Sequence, residues 1–187
     1  MGEHERIWAP WRLSYVQSTD KKSSVPAPQL DFLPGADCEC FICQAAVDPN
    51  SRGRLVVAQG EVSLAILNRY PYNNGHVLVA PRRHVGELED ITPSEHLEMA
   101  EAMTRLIGLL RQELQAEGFN VGLNLGRVGG AGLPGHLHWH IVPRWSGDTN
   151  FMPSLAGVKV IPQSLDALWE LLSARISDTA ASRDPVD

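Results

Sequence analysis

Three of the seven histidines stand at every second position of one short stretch, GHLHWHIVPRW at residues 135–145. They are His136, His138 and His140. On a β-strand, side chains alternate between faces, so these three rings share one face and Leu137, Trp139 and Ile141 take the other. The second set reads as core. Packing explains the first set poorly, because three polar rings on one face each require a partner or water. Two chemistries suit them. His-x-His is a good zinc-ligand spacing, and three rings can hold a catalytic metal with an open position. Alternatively, neutral imidazole, with a pKa of about 6.5, is a usable nucleophile near pH 7.

The residues just upstream favour the second chemistry. GRVGGAGLPG, residues 126–135, contains five glycines and one charged side chain, Arg127. Glycine lets main-chain amides approach a ligand closely, and consecutive amides in such a turn form an anion nest. Coupled to a row of imidazoles, the loop suggests a phosphate held against a histidine. His138, flanked on both sides, is best placed to attack, with its other nitrogen held by a backbone carbonyl. The three cysteines, Cys38, Cys40 and Cys43, crowd together. Cys40 and Cys43 form one C-x-x-C with no second copy, a spacing that suggests metal more than disulfide in a reducing compartment. The alternative is a pair of buried reduced thiols. Cys38 reads as a bystander, His4, His76 and His96 as surface or turn residues, and Arg82 and Arg83 as solvated.

The elements that must carry these groups are legible in outline. RLVVAQ and EVSLAILN read as strands joined at Gly60 in a hairpin, and PYNNG supplies a turn before the apolar run HVLVAP. Thr92, Pro93 and Glu95 form a helix start: N-cap, first helical residue and capping box. Leu97, Ala100, Met103, Leu106, Ile107, Leu110 and Leu114 continue it at spacings of three and four until Gly118, a helix of about 24 residues. FNVGLNLG and HLHWHIVP are two further strands. SLDALWELLSARI is a C-terminal helix with Ser164 as N-cap. The fold class is therefore α+β, with a mainly antiparallel sheet, one long helix and a C-terminal helix. Residues 1–37 form an aromatic segment with Trp8, Trp11 and Tyr15 and then a Pro/Ser-rich arm. Residues 38–176 are the domain proper, and 177–187 a disordered tail.

At 187 residues, 43% hydrophobic and 20% charged, the chain is sized for one soluble domain with an arm. Its formal charge of −6 argues against binding polymeric nucleic acid, which needs a basic face. No apolar run approaches the roughly 20 residues of a membrane span, and MGEHERIWAPWR has no signal-peptide core. The expected location is cytoplasmic, without membrane contact.

The run His136-Leu137-His138-Trp139-His140-Ile141-Val142 matches the alternating signature of the histidine-triad (HIT) family. LNRYPYNNGHVLVAPRRHVGELEDI resembles that family's strand–turn–strand segment, and GFNVGLNLGRVGGAG its strand and phosphate loop. HLHWHIVPRWSGDTNF, with WAPWR near the N-terminus, is most similar to the branch of diadenosine tetraphosphate phosphorylases, or ATP adenylyltransferases. The resemblance implies a HIT-like homodimer acting on dinucleoside polyphosphates in two steps. His138 takes up the nucleotide, and an acceptor then resolves it: phosphate in a phosphorylase, water in a hydrolase. It implies that His140 and loop amides, among them those of Gly130, Gly132 and Leu133, hold the phosphate. Asn68 would hydrogen-bond the ribose and Ile66 would form an apolar wall for the base. Asn124 is a further polar candidate, and Trp145 and Phe151 are candidates for stacking on a base. It also implies structural zinc on Cys40, Cys43, His84 and His136, so that His136 braces while His138 reacts.

One departure is visible. Where many relatives have a polar or hydroxyl-bearing residue before the triad, this chain has Gly132-Leu133-Pro134-Gly135, which counts against phosphoramidate cleavage. Outside the phosphorylase reading stand a hydrolase, a nucleotide-binding sensor without essential turnover, and a catalytic metal held by the three histidines.

Overall fold

The computed structural model describes residues 30–148 and 160–181, with side chains to Ser177. His4, Trp8, Trp11, Tyr15, most of the Pro/Ser-rich arm, Phe151 and the last six residues lie outside that range. Three helices are described: α1 (Phe41–Val47), α2 (Pro93–Leu114) and α3 (Leu165–Ala181). Five strands accompany them: β1 (Val56–Gln59), β2 (Ser63–Leu67), β3 (Val77–Pro81), β4 (Gly118–Leu123) and β5 (Trp139–Arg144). The strands make one sheet in the order β1-β2-β3-β5-β4, and every neighbouring pair is antiparallel. The α+β expectation holds. Among the described residues no helix is long and apolar enough to cross a membrane.

The β1–β2 hairpin closes where Gly60 N–H donates to the Ser63 carbonyl at 2.9 Å. The Glu98 carboxylate of α2 then collects three donors from the hairpin: Val62 N at 3.1 Å, Ser63 N at 2.8 Å and Ser63 Oγ at 2.7 Å. Because Ser63 Oγ reaches α2, that helix lies on the Ser63, Ala65 and Leu67 face of the sheet. Register carries this face across the strands as Leu67, Val77 and Ile141, all buried. The opposite face carries the row Ile66, Leu78, His140 and Gly122. Neighbouring strands lie about 4.8 Å apart, so Ile66 and His140 are about 10 Å from each other.

Helix α2 starts as its sequence requires. Thr92 and Glu95 form the reciprocal capping box and Pro93 occupies the first turn. Arg83 Nε donates to Glu95 at 2.7 Å. Burial alone would raise the Glu95 carboxyl, but the Arg83 and Thr92 donors outweigh it and hold it below the usual carboxylate range. Arg83 is therefore a clamp on the helix start rather than a solvated charge. The apolar stripe holds from Met103 onward, with Leu106 and Leu110 buried and Met103, Ile107 and Leu114 packed against the core, but it differs at the start, where Met99 is buried, Leu97 is 62% exposed and Ala100 is exposed. The inner face begins at Glu95, a position that pairing with Arg83 makes tolerable inside.

The helix ends at Leu114 with Gln115 in the left-handed conformation, earlier than Gly118, which opens β4. The chain must turn there because Glu117 N–H already bonds to the Arg144 carbonyl of β5. Helix α3 is capped as expected, Ala167 N–H donating to Ser164 Oγ at 3.2 Å. It runs to Ala181, past the boundary at 177 expected for the tail. Ser177 Oγ donates back to the Ser173 carbonyl and the alanines at 180 and 181 favour helix.

Candidate functional site

Strand β5 begins at Trp139, not at His136. Residues 136–138 enter the sheet by other bonds: His136 N–H donates to the Leu133 carbonyl and Leu137 N–H to the Val85 carbonyl at 2.7 Å. The three histidines are all buried, but they divide into two groups.

His136 is fully buried and faces the cysteine pair. Its Nε2–H donates to the Pro81 carbonyl at 2.9 Å, which leaves the Nδ1 lone pair directed at Cys40 Sγ (3.3 Å) and Cys43 Sγ (3.5 Å). His84 brings its own Nδ1 to 3.3 Å from Cys43 Sγ. The four ligand atoms of Cys40, Cys43, His84 and His136 lie within 4.8 Å of one another. Tetrahedral zinc with ordinary Zn–S and Zn–N bonds sets S···N edges of about 3.5 Å, so the cluster fits the ion. The carbonyl on His136 Nε2 is the partner that fixes a ligating tautomer. Burial, reinforced by the neighbouring His84 and His138 rings, pushes His136 down to about 4 despite the Pro81 bond. Burial also pushes the Cys43 thiol up to about 11, a shift that a bound cation reverses by stabilising thiolate. Cys38 is exposed and apart from this group.

His138 turns the other way. Its Nδ1–H donates to the His136 carbonyl at 2.8 Å, so the proton of the neutral ring is on Nδ1 and Nε2 carries a lone pair. The His140 ring stands edge-on to it, with centroids 5.0 Å apart.

The proton on His140 is fixed by a residue that composition and pattern had assigned to a turn. His76 is 1% exposed, and its Nδ1 accepts the Tyr72 backbone N–H at 3.0 Å, with Asn68 Nδ2 a second donor at 3.2 Å. A neutral His76 therefore carries its proton on Nε2, which lies 2.9 Å from His140 Nδ1. His140 accepts there and presents an N–H on its own Nε2. Burial, then the His138 ring, pushes its pKa down to about 4, so it is neutral near pH 7. Asn124 Nδ2 lies 3.4 Å from His140 Nε2. Both groups are then donors, and such a pair converges on an anion better than on each other. Gly122, paired with His140, leaves open space where a side chain would stand.

The turn that delivers His76 depends on Gly75. Its φ of +73° favours glycine, and a Cβ there would stand 2.6 Å from Leu114 Cδ1, so that side chain would have to shift. The sequence signal for His76 was there, since a histidine opening a wholly buried strand has no solvent to face.

Other predicted residues fall in different places. Ile66 and Asn68 line a cavity of about 360 Å³ with Phe41, Leu55 and Tyr70. Asn68 also does the turn-forming job, accepting the Tyr70 N–H at 2.9 Å. In the glycine loop, the Gly130 amide donates to the Arg127 carbonyl, whereas Gly132 is exposed and Leu133 half-buried. Trp145 is placed at the end of α2, its indole N–H donating to the Leu114 carbonyl at 3.1 Å. It is not brought to His138 or His140 by any described contact. His96 is exposed, as expected.

A lone pair and two convergent donors can seat an anionic ligand and attack it, and Ile66, on the sheet face that carries His140, borders a cavity. Known proteins share the frame. Over 174 residues the chain is 40% identical to an AP-4-A phosphorylase from Mycobacterium tuberculosis, covering 90% of this chain and 83% of that protein. Over 96 residues it is 34% identical to an asymmetrical bis(5'-nucleosyl)-tetraphosphatase from Schizosaccharomyces pombe, about half of each chain (51% and 52%). A zinc-bound histidine triad family protein from Mycobacterium smegmatis superposes with a TM-score of 0.61 at 27% identity, over 78% of this chain and 98% of that one. Residues 52–147 match the HIT domain, so the alternating histidines, the antiparallel sheet and the matched sequence place this chain in the HIT family.

Proposed function

We propose that the protein is a nucleotidyl transferase that acts as a phosphorylase on dinucleoside polyphosphates, through a nucleotide carried on His138. One observation carries the reading: a lone pair on His138 Nε2 stands beside an N–H on His140 Nε2. The first is a nucleophile and the second an oxyanion donor, so the site is polarised for attack on phosphorus. The His138 lone pair forms an N–P bond to the α-phosphate, and the P–O bond to the departing polyphosphate breaks. The ring becomes positive, and the His136 carbonyl stabilises it through Nδ1–H. A phosphate oxygen then attacks the same phosphorus, the N–P bond breaks, and diadenosine tetraphosphate has become ATP and ADP.

His140 and Asn124 hold phosphate oxygens, with the amides of Gly132 and Leu133 as further donors. Ile66 and the cavity beside it take the base, and Asn68 the ribose; the 10 Å row from Ile66 to His140 suits one nucleoside phosphate. We assign zinc to Cys40, Cys43, His84 and His136, where as a Lewis acid it ties the four side chains into one rigid unit. His136 thus braces the nucleophile and takes no part in the transfer. Two copies form the working unit in this reading, with edge strand β4, whose Val121 is 44% exposed, as the face that a second copy extends. The 40% identity to an AP-4-A phosphorylase supports the choice of phosphate as acceptor.

Incubation with diadenosine tetraphosphate should release ADP only when phosphate is present, and His138→Ala should abolish release. Equal turnover without phosphate would replace the phosphorylase by a hydrolase. Turnover surviving in His138→Ala would remove the covalent mechanism.

A further inference from the structure

The glycine loop carries one charge, and the fold leaves it unspent. Residues 127–130 form a tight turn in which the Gly130 N–H donates to the Arg127 carbonyl at 3.1 Å. The Ala131 N–H returns to the Gly126 carbonyl at 3.1 Å, and Gly126 and Gly130 take positive φ, +67° and +91°. The turn folds back on the strand it leaves. A Cβ at Gly129 would collide with the Leu125 carbonyl oxygen, and one at Gly130 would stand 4.0 Å from Asn124 Nδ2. Arg127 therefore opens a turn whose far end lies against Asn124, the amide that converges with His140 Nε2. The ends of such a turn are less than about 7 Å apart. A chain of phosphates that begins at Asn124 and His140 is then within reach of the long Arg127 side chain. Among the described residues every other arginine has an oxygen acceptor or an aromatic ring as partner, as Arg69 has the Gly53 carbonyl and Arg111 the Phe119 ring. The exposed Arg127 guanidinium has neither.

We propose that Arg127 binds the departing polyphosphate and makes the site prefer a long, charged leaving group. The inference rests on the nucleotide reading above. Ile66, Asn68, His140, Asn124 and the loop amides account for one nucleoside monophosphate. When His138 attacks, the electrons of the broken P–O bond leave with the triphosphate of ATP. Without Arg127 those negative charges meet neutral donors, since His140 is uncharged near pH 7 and Asn124 is an amide. A guanidinium brings several N–H donors and a permanent charge. No bond to the protein has to break before it closes on the phosphates. A cation at this spot also counters the field of a chain whose formal charge is −6. A hydrogen bond to a charged group of this kind is worth about tenfold or more.

The test gives the full-length protein two substrates that share adenylate and differ in what departs. One is diadenosine tetraphosphate; the other is the 4-nitrophenyl ester of AMP, whose leaving group carries no phosphate. Both are assayed with phosphate as acceptor, and the ratio of their kcat/KM values is read. Arg127→Gln should lower the ratio, tetraphosphate over ester, about tenfold, and Arg127→Lys should recover part of it. Added salt should lower the ratio in wild type and leave it nearly level in Arg127→Gln. A ratio unchanged in Arg127→Gln, whether both rates hold or both fall, overturns the role of Arg127 and leaves the transferase standing. If Arg127→Gln does not fold, a wild-type ratio indifferent to salt ends the proposal. Turnover of neither substrate by wild type overturns the nucleotide reading as well.

Discussion

The cluster of Cys40, Cys43, His84 and His136 and the cluster of His76, His138, His140 and Asn124 adjoin at the entry to β5, yet they are finished in opposite ways. In the first, each ligand atom is turned inward on the others, and the outward nitrogen of His136 is closed off by the Pro81 carbonyl. In the second, each hydrogen bond ends by leaving something unused: a lone pair on His138 Nε2, an N–H on His140 Nε2. A closed set of donors adds to stability, and an open set holds reactivity in reserve. The two share one residue, because the His136 ring belongs to the first cluster while its carbonyl orients His138 in the second.

That contrast can be tested by damaging each side separately. The largest effect should come from the closed cluster. Cys43→Ser, or exhaustive chelation, should remove about one zinc per chain and lower the melting temperature by on the order of 10 °C, since a loss of several kcal/mol does this in a chain of this size. Calorimetry with metal analysis checks both quantities; an unchanged melting temperature would show that the cluster is not a brace.

On the open side, His76→Leu removes the N–H that fixes the His140 tautomer. It should lower kcat about tenfold, at the mild end for losing control of an oxyanion donor, with little change in KM. His76→Gln, which keeps an N–H, should recover most of it. A rise in KM instead would make His76 a packing residue only.

The smallest effect is one of pH. His140 titrates at about 4 when folded and at about 6.5 when unfolded, so on acidification the unfolded chain takes up the proton first. Its contribution to stability is whole above about 6.5 and falls progressively towards 4. Urea midpoints at pH 7.5 and 5 should therefore drop more in wild type than in His140→Asn.

How much of this was legible beforehand depended on the range of the interaction. The capping box at Thr92 and Glu95 is local, and it was read correctly. The strands on either side of His140 followed from alternation and turn residues, but their order in the sheet is set by pairing between distant segments and was not legible. Only the start of the inner face of α2 was misjudged, because Glu95 is made buriable by Arg83, a partner twelve residues away. His76 was missed for the same reason: its role depends on His140, 64 residues later. The alternating histidines gave an incomplete geometry. Strand periodicity puts all three on one face, whereas the ladder begins only at Trp139 and His136 and His138 lie ahead of it.

Glu98 gives the molecule a gauge. By gripping both backbone and hydroxyl at the start of β2, it forbids that strand to slide against β3. A slide of one residue would turn Ile66 away from the His140 face altogether. A slide of two would keep every side chain on its side and shift Ile66 by about 7 Å along the strand. The second error would leave the core apolar and the sheet intact, so its cost would fall on the Glu98 bonds. What it would spoil is the span between Ile66 and His140, so a carboxylate on α2 fixes a distance on which the proposed site depends.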